Sequence, residues 1–419
     1  MIKFIILFFL FTLNLQSDEG DIVVRHTVDS KDYLFDKKSY CRDRTSNENL
    51  SWYEDFNEEI LSRKTWKYAV SNGFKDRGRY ISGWGNGELQ YYTKPSKKNK
   101  NTNTSNNLFI EDGLLKIQPT REGFSGFDYT SARIDTKSLK DFTYPSRITV
   151  CFKVPSGTGF WPAFWLMPDE DILWPQGGEI DIMEHVGFDD GNIHGSIHTK
   201  DFNHIMNTQR SGSMTVSSAT ESFHVYSLEW SPHYLRFLID DSPFFFVYND
   251  SYGNEAKWTF DSPHYMILNL AIGGDWGGVQ GIEPSSFPMR MLVDHVRVSK
   301  RAENHPDVEV TFQVDMQNVN VSGTGIWLSG GSISSANPGG IQMQPTSTDG
   351  LWEAQLTLPP NSNFTFKYRN GYFPGSWSQG WEVISGDCTT GQYNDRSVSI
   401  GVADTILPIV CFNECKECN

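Results

Sequence analysis

Glu179-Ile180-Asp181-Ile182-Met183-Glu184 alternates acidic and apolar residues for four positions and then falls out of step. Period-two alternation marks a β-strand with one buried face, because successive side chains point to opposite sides of the pleat. Glu179 and Asp181 therefore share an open face, while Ile180 and Ile182 point into a core. Glu184 is out of phase with its fellow acids. One extra residue near Met183 returns it to their face, and such bulges are over-represented beside active sites. Three acids on one strand face repel each other, which is costly without a function. The spacing alone is weak, since about one residue in eight is acidic and a pattern like this arises by chance roughly once per chain of this length.

Outward from this stretch the chain reads as one series of short strands. Leu114–Pro119, Arg133–Lys137, Arg147–Val154, Ser196–Thr199, His224–Trp230, Tyr234–Asp240, Phe244–Tyr248, Tyr265–Ile272 and Met291–Val298 are rich in β-branched and aromatic residues, with Gly, Pro, Asn and Asp between them. Strands at this spacing, with no sustained helical period, predict an all-β fold built as a two-sheet sandwich or jelly roll. Residues 94–107 form a polar insertion and read as an exposed loop. A charged segment at 300–308 reads as a linker. Strands resume in 309–419 and predict a second, smaller β-sandwich, which leaves 51–299 as the large domain.

Composition narrows the partners. Aromatics reach 14%, with 13 Trp, which suits surfaces that stack on flat ligands, and 36 Gly fit a turn-rich β protein. The net charge of −15 excludes nucleic acid as the expected partner, because phosphate binding needs a basic footprint. Residues 1–17 read as a signal peptide: Lys3, an apolar run from Phe4 to Phe11, and a cleavage site after Leu15-Gln16-Ser17. Residues 18–50 read as a polar leader. No later run is long enough to span a bilayer, so the expectation is a secreted, soluble monomer. Six cysteines fit an oxidising compartment, with a pairing that the sequence leaves open. Sequons at Asn49, Asn103, Asn249, Asn320 and Asn363 are glycosylation candidates.

Paired carboxyl groups are what glycoside hydrolysis needs, one to attack the anomeric carbon and one to protonate the leaving oxygen. Five residues of flat strand span about 16 Å, or roughly 13 Å after a bulge. Retaining enzymes hold their carboxyls about 5–5.5 Å apart, so the strand must be bent and its glutamates must lean together.

The flanks carry a resemblance. Gly178-Glu-Ile-Asp-Ile-Met-Glu-His-Val-Gly187 and Gly159-Phe-Trp-Pro-Ala-Phe-Trp-Leu-Met-Pro168 resemble glycoside hydrolase family 16. Asn86-Gly-Glu-Leu-Gln-Tyr-Tyr-Thr93, Tyr129-Thr-Ser-Ala-Arg-Ile134, Gly195-Ser-Ile-His-Thr199, Asn269-Leu-Ala-Ile-Gly-Gly274 and Val293-Asp-His-Val-Arg-Val298 look like its laminarinase branch, in the expected order. The resemblance covers about residues 52–299. It implies a curved jelly roll with a glucan cleft, Glu179 as nucleophile, Glu184 as general acid/base, and Asp181 tuning the nucleophile. The bulged signature is the laminarinase form. Asn86 and Arg133 match positions that hydrogen-bond sugars in the minus subsites. Trp161 and Trp165 suit stacking on sugar faces, His198 matches a histidine near the acid/base, and Trp276 belongs to a loop lining the cleft. His185 is expected to face inward. No cofactor is required, although many members carry a structural calcium, for which Glu54 (or Asp55) and Asp294 are the candidate ligands.

The second domain is similar to starch-binding modules at Val310-Thr-Phe-Gln-Val-Asp-Met316, Asp349-Gly-Leu-Trp-Glu-Ala354 and Phe364-Thr-Phe-Lys-Tyr-Arg369. Trp377 and Trp381, with Tyr372 and Phe373, are candidates for a sugar platform. The expected activity is endo-hydrolysis of β-1,3-glucan with retention. A glucan transglycosylase and a non-catalytic β-glucan recognition protein are the alternatives; the latter is disfavoured because both glutamates are present.

Overall fold

The computed structural model describes residues 39–41, 50–95, 107–251, 253–300, 306–333, 340–373, 376 and 378–418. The expected signal peptide, most of the leader, the sequons at Asn49 and Asn103, and Trp377 lie outside the described residues. The protein is all-β. Helix among the described residues is confined to short 3-10 turns at Gly83–Gly85, His204–Met206 and Pro284–Ser286. None of these is long and apolar enough to cross a membrane.

Two antiparallel sheets share one core. The seven-stranded sheet runs Arg210–Thr215, Asn192–His198, Glu179–Glu184, Phe160–Pro168, His264–Ile272, Arg133–Asp135, Lys67–Tyr68 from edge to edge. The eight-stranded sheet runs Ser242–Tyr248, Tyr234–Ile239, His224–Trp230, Ser146–Lys153, Met291–Lys300, Leu114–Ile117, Leu108–Glu111, with Leu50–Glu54 added alongside Met291–Lys300. The strand Phe160–Pro168 shows the logic of the layering. Phe160, Phe164 and Leu166 are fully buried between the sheets, whereas Trp161, Trp165 and Met167 are half-buried on the opposite face. That opposite face of the seven-stranded sheet is the one on which Glu179 and Glu184 lie.

The edge strand Arg210–Thr215 has no counterpart in the expected set. Its sequence Arg-Ser-Gly-Ser-Met-Thr lacks a β-like pattern, and it is a strand because Asn192–His198 offers an unpaired edge for it to close. Gly212 fits against Phe245, which an added Cβ would meet at 2.8 Å. Cys41 is bonded to Cys151 and so ties the segment 39–41 to the strand Ser146–Lys153.

From Val308 onward, two five-stranded sheets enclose a separate core that includes Val310, Phe312, Val314, Leu328, Leu356 and Phe366. Cys388–Cys415 and Cys411–Cys418 staple its tail. Beneath them Arg396 forms a buried ion pair with Glu382 at 2.7 Å. The two sandwiches touch through the edge strand Ser242–Tyr248. Phe246 packs against Phe364 with ring centroids 4.8 Å apart, the Tyr248 hydroxyl accepts from the Thr357 amide, and the Tyr234 hydroxyl donates to Asp307.

Candidate active site

The catalytic candidates depend on a register shift. Against Phe160–Pro168, Asp181 pairs with Trp165 and Met183 with Phe164, leaving Ile182 as the extra residue. Against Asn192–His198 the same step appears, with Asp181 opposite Ser196 and Glu184 opposite His194. The bulge falls one residue before Met183. Ile182 and Met183 are consecutive, yet both are buried, at 1% and 0% exposure. A regular strand cannot send two neighbours to one face. Burying each such side chain contributes about 1.5–3 kcal/mol, so the core itself locks the bulge in place. Its product is that Glu184 returns to the face of Glu179 and Asp181.

Each carboxylate has a defined donor. The Trp174 indole N–H donates to Glu179 Oε2 at 2.7 Å, and the Trp161 indole N–H donates to Glu184 Oε1 at 3.0 Å. Between them the Ser196 hydroxyl donates to Asp181 Oδ2 at 2.6 Å, and His198 Nε2 lies 3.2 Å from the same oxygen. Glu179, Asp181 and His198 each offer an atom within 4.8 Å of the others.

Burial and the nearby charge of Asp181 push both glutamates far above the ordinary carboxylate range. Burial opposes the charged form of His198, but the hydrogen bond to Asp181 and the surrounding carboxylates outweigh it and raise the imidazole to about 9. Like charges this close do not all ionise, and they titrate as a unit.

The walls are aromatic. Trp276 meets Trp161 edge-on at 5.6 Å and His194 at 4.9 Å. The loop that carries it needs its glycines. An added Cβ at Gly277 would lie 2.8 Å from Trp161 Cβ, and Gly274 (φ +82°) would meet the Trp161 ring at 3.1 Å. Further across the sheet, beyond Trp161, the Arg133 guanidinium is sandwiched between Trp84 at 4.3 Å and Trp165 at 4.8 Å. A buried chain of hydrogen bonds supports this wall. Trp165 Nε1 donates to Asn269 Oδ1, Asn269 Nδ2 to the Tyr92 hydroxyl, and that hydroxyl to Glu88 Oε2, which also accepts from Gln90. Asn86 Nδ2 reaches Glu88 Oε1 at 3.4 Å. The structure thus gathers Trp161 and Trp276 around Glu184, and joins Asn86, Arg133 and Trp165 through Trp84, Glu88 and Tyr92.

Three placements differ from expectation or extend it. His198 is 6% exposed, stands opposite Glu179 in register beside Asp181, and acts by charge on both Glu179 and Glu184. Trp174 had no signal in the sequence, because it sits in an irregular segment without periodicity. It forms an aromatic cluster with His198 and His204, at 6.0 and 5.0 Å. His185 is fully buried and accepts from the Gly191 amide, an inward structural role.

Glu54 and Asp294, the candidate calcium ligands, are engaged separately. Glu54 accepts from the Phe56 amide and the Trp66 indole, while Asp294 accepts from the Ser39 hydroxyl and the Tyr40 amide and faces His295. Among the described residues the grouping around Asp294 contains Cys151 and His295, not Glu54, and Cys151 is consumed in a disulfide. These residues do not form the oxygen-rich set that calcium takes. In the second sandwich Trp381 is half-buried, with the Arg369 guanidinium 4.5 Å from its ring.

A jelly roll whose open face carries clustered carboxylates between aromatic walls defines the class of polysaccharide-cleaving β-sandwiches. Residues 95–294 match the model of glycosyl hydrolases family 16. A β-glucanase of Rhodothermus marinus is 39% identical over 270 residues, covering 62% of this chain and 88% of that protein. A glucan endo-1,3-β-glucosidase of Cryptopygus antarcticus is 30% identical over 56% of this chain and 84% of its own length. The solved laminarinase of Rhodothermus marinus superposes with a TM-score of 0.55 at 39% identity, over 61% of this chain and 98% of that one. The chain belongs to glycoside hydrolase family 16.

Proposed function

We propose that this chain is a secreted, endo-acting glycosidase that hydrolyses β-1,3-linked glucan by double displacement with retention. Glu179 attacks the anomeric carbon as the glycosidic C–O bond breaks, and Glu184 gives its proton to the leaving oxygen. Glu184, now ionised, takes a proton from water, whose oxygen attacks the same carbon and releases Glu179. The observation that carries this reading is the one-residue register shift at Ile182, which sets Glu184 on the face of Glu179.

The family resemblance supports these roles. His198 stands opposite Glu179, and Trp174 donates to that carboxyl. Glu184 stands opposite His194, whose pKa burial lowers, and takes a hydrogen bond from Trp161; the charge of His198 acts on both glutamates. Asp181 couples the two. Asn86, Arg133 and Trp165 bind the glycone side, and Trp161 and Trp276 shape the scissile position. The substrate class follows the names of the relatives, a β-glucanase and a laminarinase. Export is supported by the three disulfides, which persist in oxidising compartments. Trp381, with Trp377, supplies sugar-binding surface on the second sandwich.

Purified protein incubated with laminarin, lichenan, agarose and κ-carrageenan tests the reading. It predicts shortening of laminarin to oligosaccharides of mixed length. Inertness toward both laminarin and lichenan contradicts it.

A further inference from the structure

The open face of the catalytic sheet does not end at the catalytic strand. Cross-strand partners share a face, so Asp181, Ser196 and Ser211 form a row running from the catalytic strand to the edge strand Arg210–Thr215. Two strand spacings separate Asp181 from Ser211, or about 10 Å. Ser211 is exposed. It also lines a second cavity, of about 900 Å³, formed where the edge of the catalytic sandwich meets the second sandwich.

One wall of this groove comes from the catalytic domain, with Arg236 and the aromatic run at Phe244 and Phe245. The other comes from the second sandwich, with Lys367, Trp381, Tyr393 and Asp395. Tyr393 is 70% exposed and Trp381 half-buried, so aromatic surface is presented to the groove. Of the charged side chains lining it, Arg210 is paired with Asp250 and Arg236 with Glu229, which leaves Lys367 beside Asp395, and hydroxyls from Ser332 and Thr365 lie among them. Aromatic faces with scattered hydroxyls and no dominant charge match a neutral sugar chain, whose apolar ring faces stack and whose edges hydrogen-bond. A polyanion is disfavoured by the chain's net charge of −15.

We propose that this interdomain groove is a remote binding site for the same polysaccharide, reached along the row Asp181–Ser196–Ser211 on the side of the cleft opposite Asn86 and Arg133. It takes the aglycone end of a long glucan beyond the scissile bond. The second sandwich then does more than tether the enzyme to substrate: it extends the catalytic cleft. The inference rests on the glucanase reading above.

The test compares Tyr393→Ala and Trp381→Ala with the parent full-length chain. The proteins are made in a host that adds no N-glycan, because Asn363 lies at the rim of the groove within a sequon. Laminarin and a short β-1,3-gluco-oligosaccharide serve as parallel substrates. The expected result is a roughly 5- to 10-fold loss of kcat/KM on laminarin for each variant, with the oligosaccharide rate of Tyr393→Ala unchanged. Equal rates of variant and parent on laminarin overturn the proposal, as does an equal loss on both substrates for Tyr393→Ala. Retardation in a native gel containing laminarin gives a readout independent of turnover. Tyr393→Ala, at an exposed position with little risk to folding, is expected to weaken retardation there, and unchanged retardation overturns the proposal. If the parent cleaves neither substrate the glucanase reading fails, and the gel still decides whether the groove binds glucan.

Discussion

The Trp174 indole donates to Glu179 at 2.7 Å, as the Trp161 indole does to Glu184 at 3.0 Å, so each carboxyl has its own donor. Both are raised by burial and by Asp181. Trp174 and His198 stabilise the ionised form of Glu179 from one end of the strand. At the other end Glu184 has the Trp161 N–H but a neutral His194 opposite. In the proposed mechanism these two carboxyls take opposite tasks.

Replacing Trp174 by Phe keeps the ring and removes the donor. Glu179 then binds its proton more tightly, so the acid limb of the kcat/KM profile moves to higher pH. The expected loss in kcat is roughly 10-fold, the scale of one hydrogen bond to a charged group. A pH–rate profile checks this; an unmoved acid limb contradicts the role given to Trp174.

His198→Gln removes the cation beside Asp181 and Glu179. Its imidazole is raised to about 9, so the charge is present throughout the working range and its loss acts at all pH values below that. The expected profile has both limbs shifted upward, because the same charge lowers Glu179 and Glu184, with KM little changed. A change in KM alone would assign His198 to substrate binding instead.

Glu184→Gln abolishes the proton donor, and a loss of roughly 10²–10⁴ in kcat is expected on laminarin. The same variant is expected to be more stable than the parent. The folded pKa of Glu184 is raised, so the folded state favours its protonated form. The unfolded state releases that proton above its ordinary value of 4.5, so the stability tied to it falls as pH rises from there through the folded pKa. A neutral amide escapes this penalty. Thermal denaturation should show a Tm gain of about 2–4 °C at pH 8 and a smaller one at pH 4. A gain independent of pH would mean that Glu184 is not the group holding the proton.

Arg133→Ala empties the slot between Trp84 and Trp165 and leaves the buried Glu88 without its nearest cation, whose charge opposes the rise that burial imposes on that carboxyl. Weaker binding with slower turnover is expected. Arg133→Lys should restore little, since a guanidinium plane is what stacks between two indoles. Full rescue by Lys would reduce Arg133 to a bare charge.

Much of this was legible in the sequence, for reasons that differ by element. The alternation of the catalytic strand and the step that breaks it made a bulge legible, because the pleat forces one if three acids are to share a face, but the flanking motifs and not the spacing singled the stretch out. The extra residue is Ile182 and not its neighbour Met183, a choice made by core packing that no local pattern records. Phe160–Pro168 is apolar throughout, so its alternation appears only in the structure, and Trp161 and Trp165 were set beside the cleft by the family resemblance. Trp174 and Trp84 could not be placed, since each lies outside regular strands, where side-chain direction has no period. Glu88 and Tyr92 were quoted within a motif, but their burial beneath Arg133 depends on partners far along the chain. Glu54 (or Asp55) and Asp294 were offered for calcium by the family resemblance, and Glu54 and Asp294 each accept hydrogen bonds from separate groups of the chain.

The most direct measurement is the anomeric configuration of the reducing ends first released from laminarin, followed by proton NMR before mutarotation sets in. Double displacement through Glu179, with Glu184 returning the proton to the second step, predicts that the β-anomer appears first and the α-anomer only later. Initial release of the α-anomer would mean single displacement, and the assignment of Glu179 as nucleophile would be wrong.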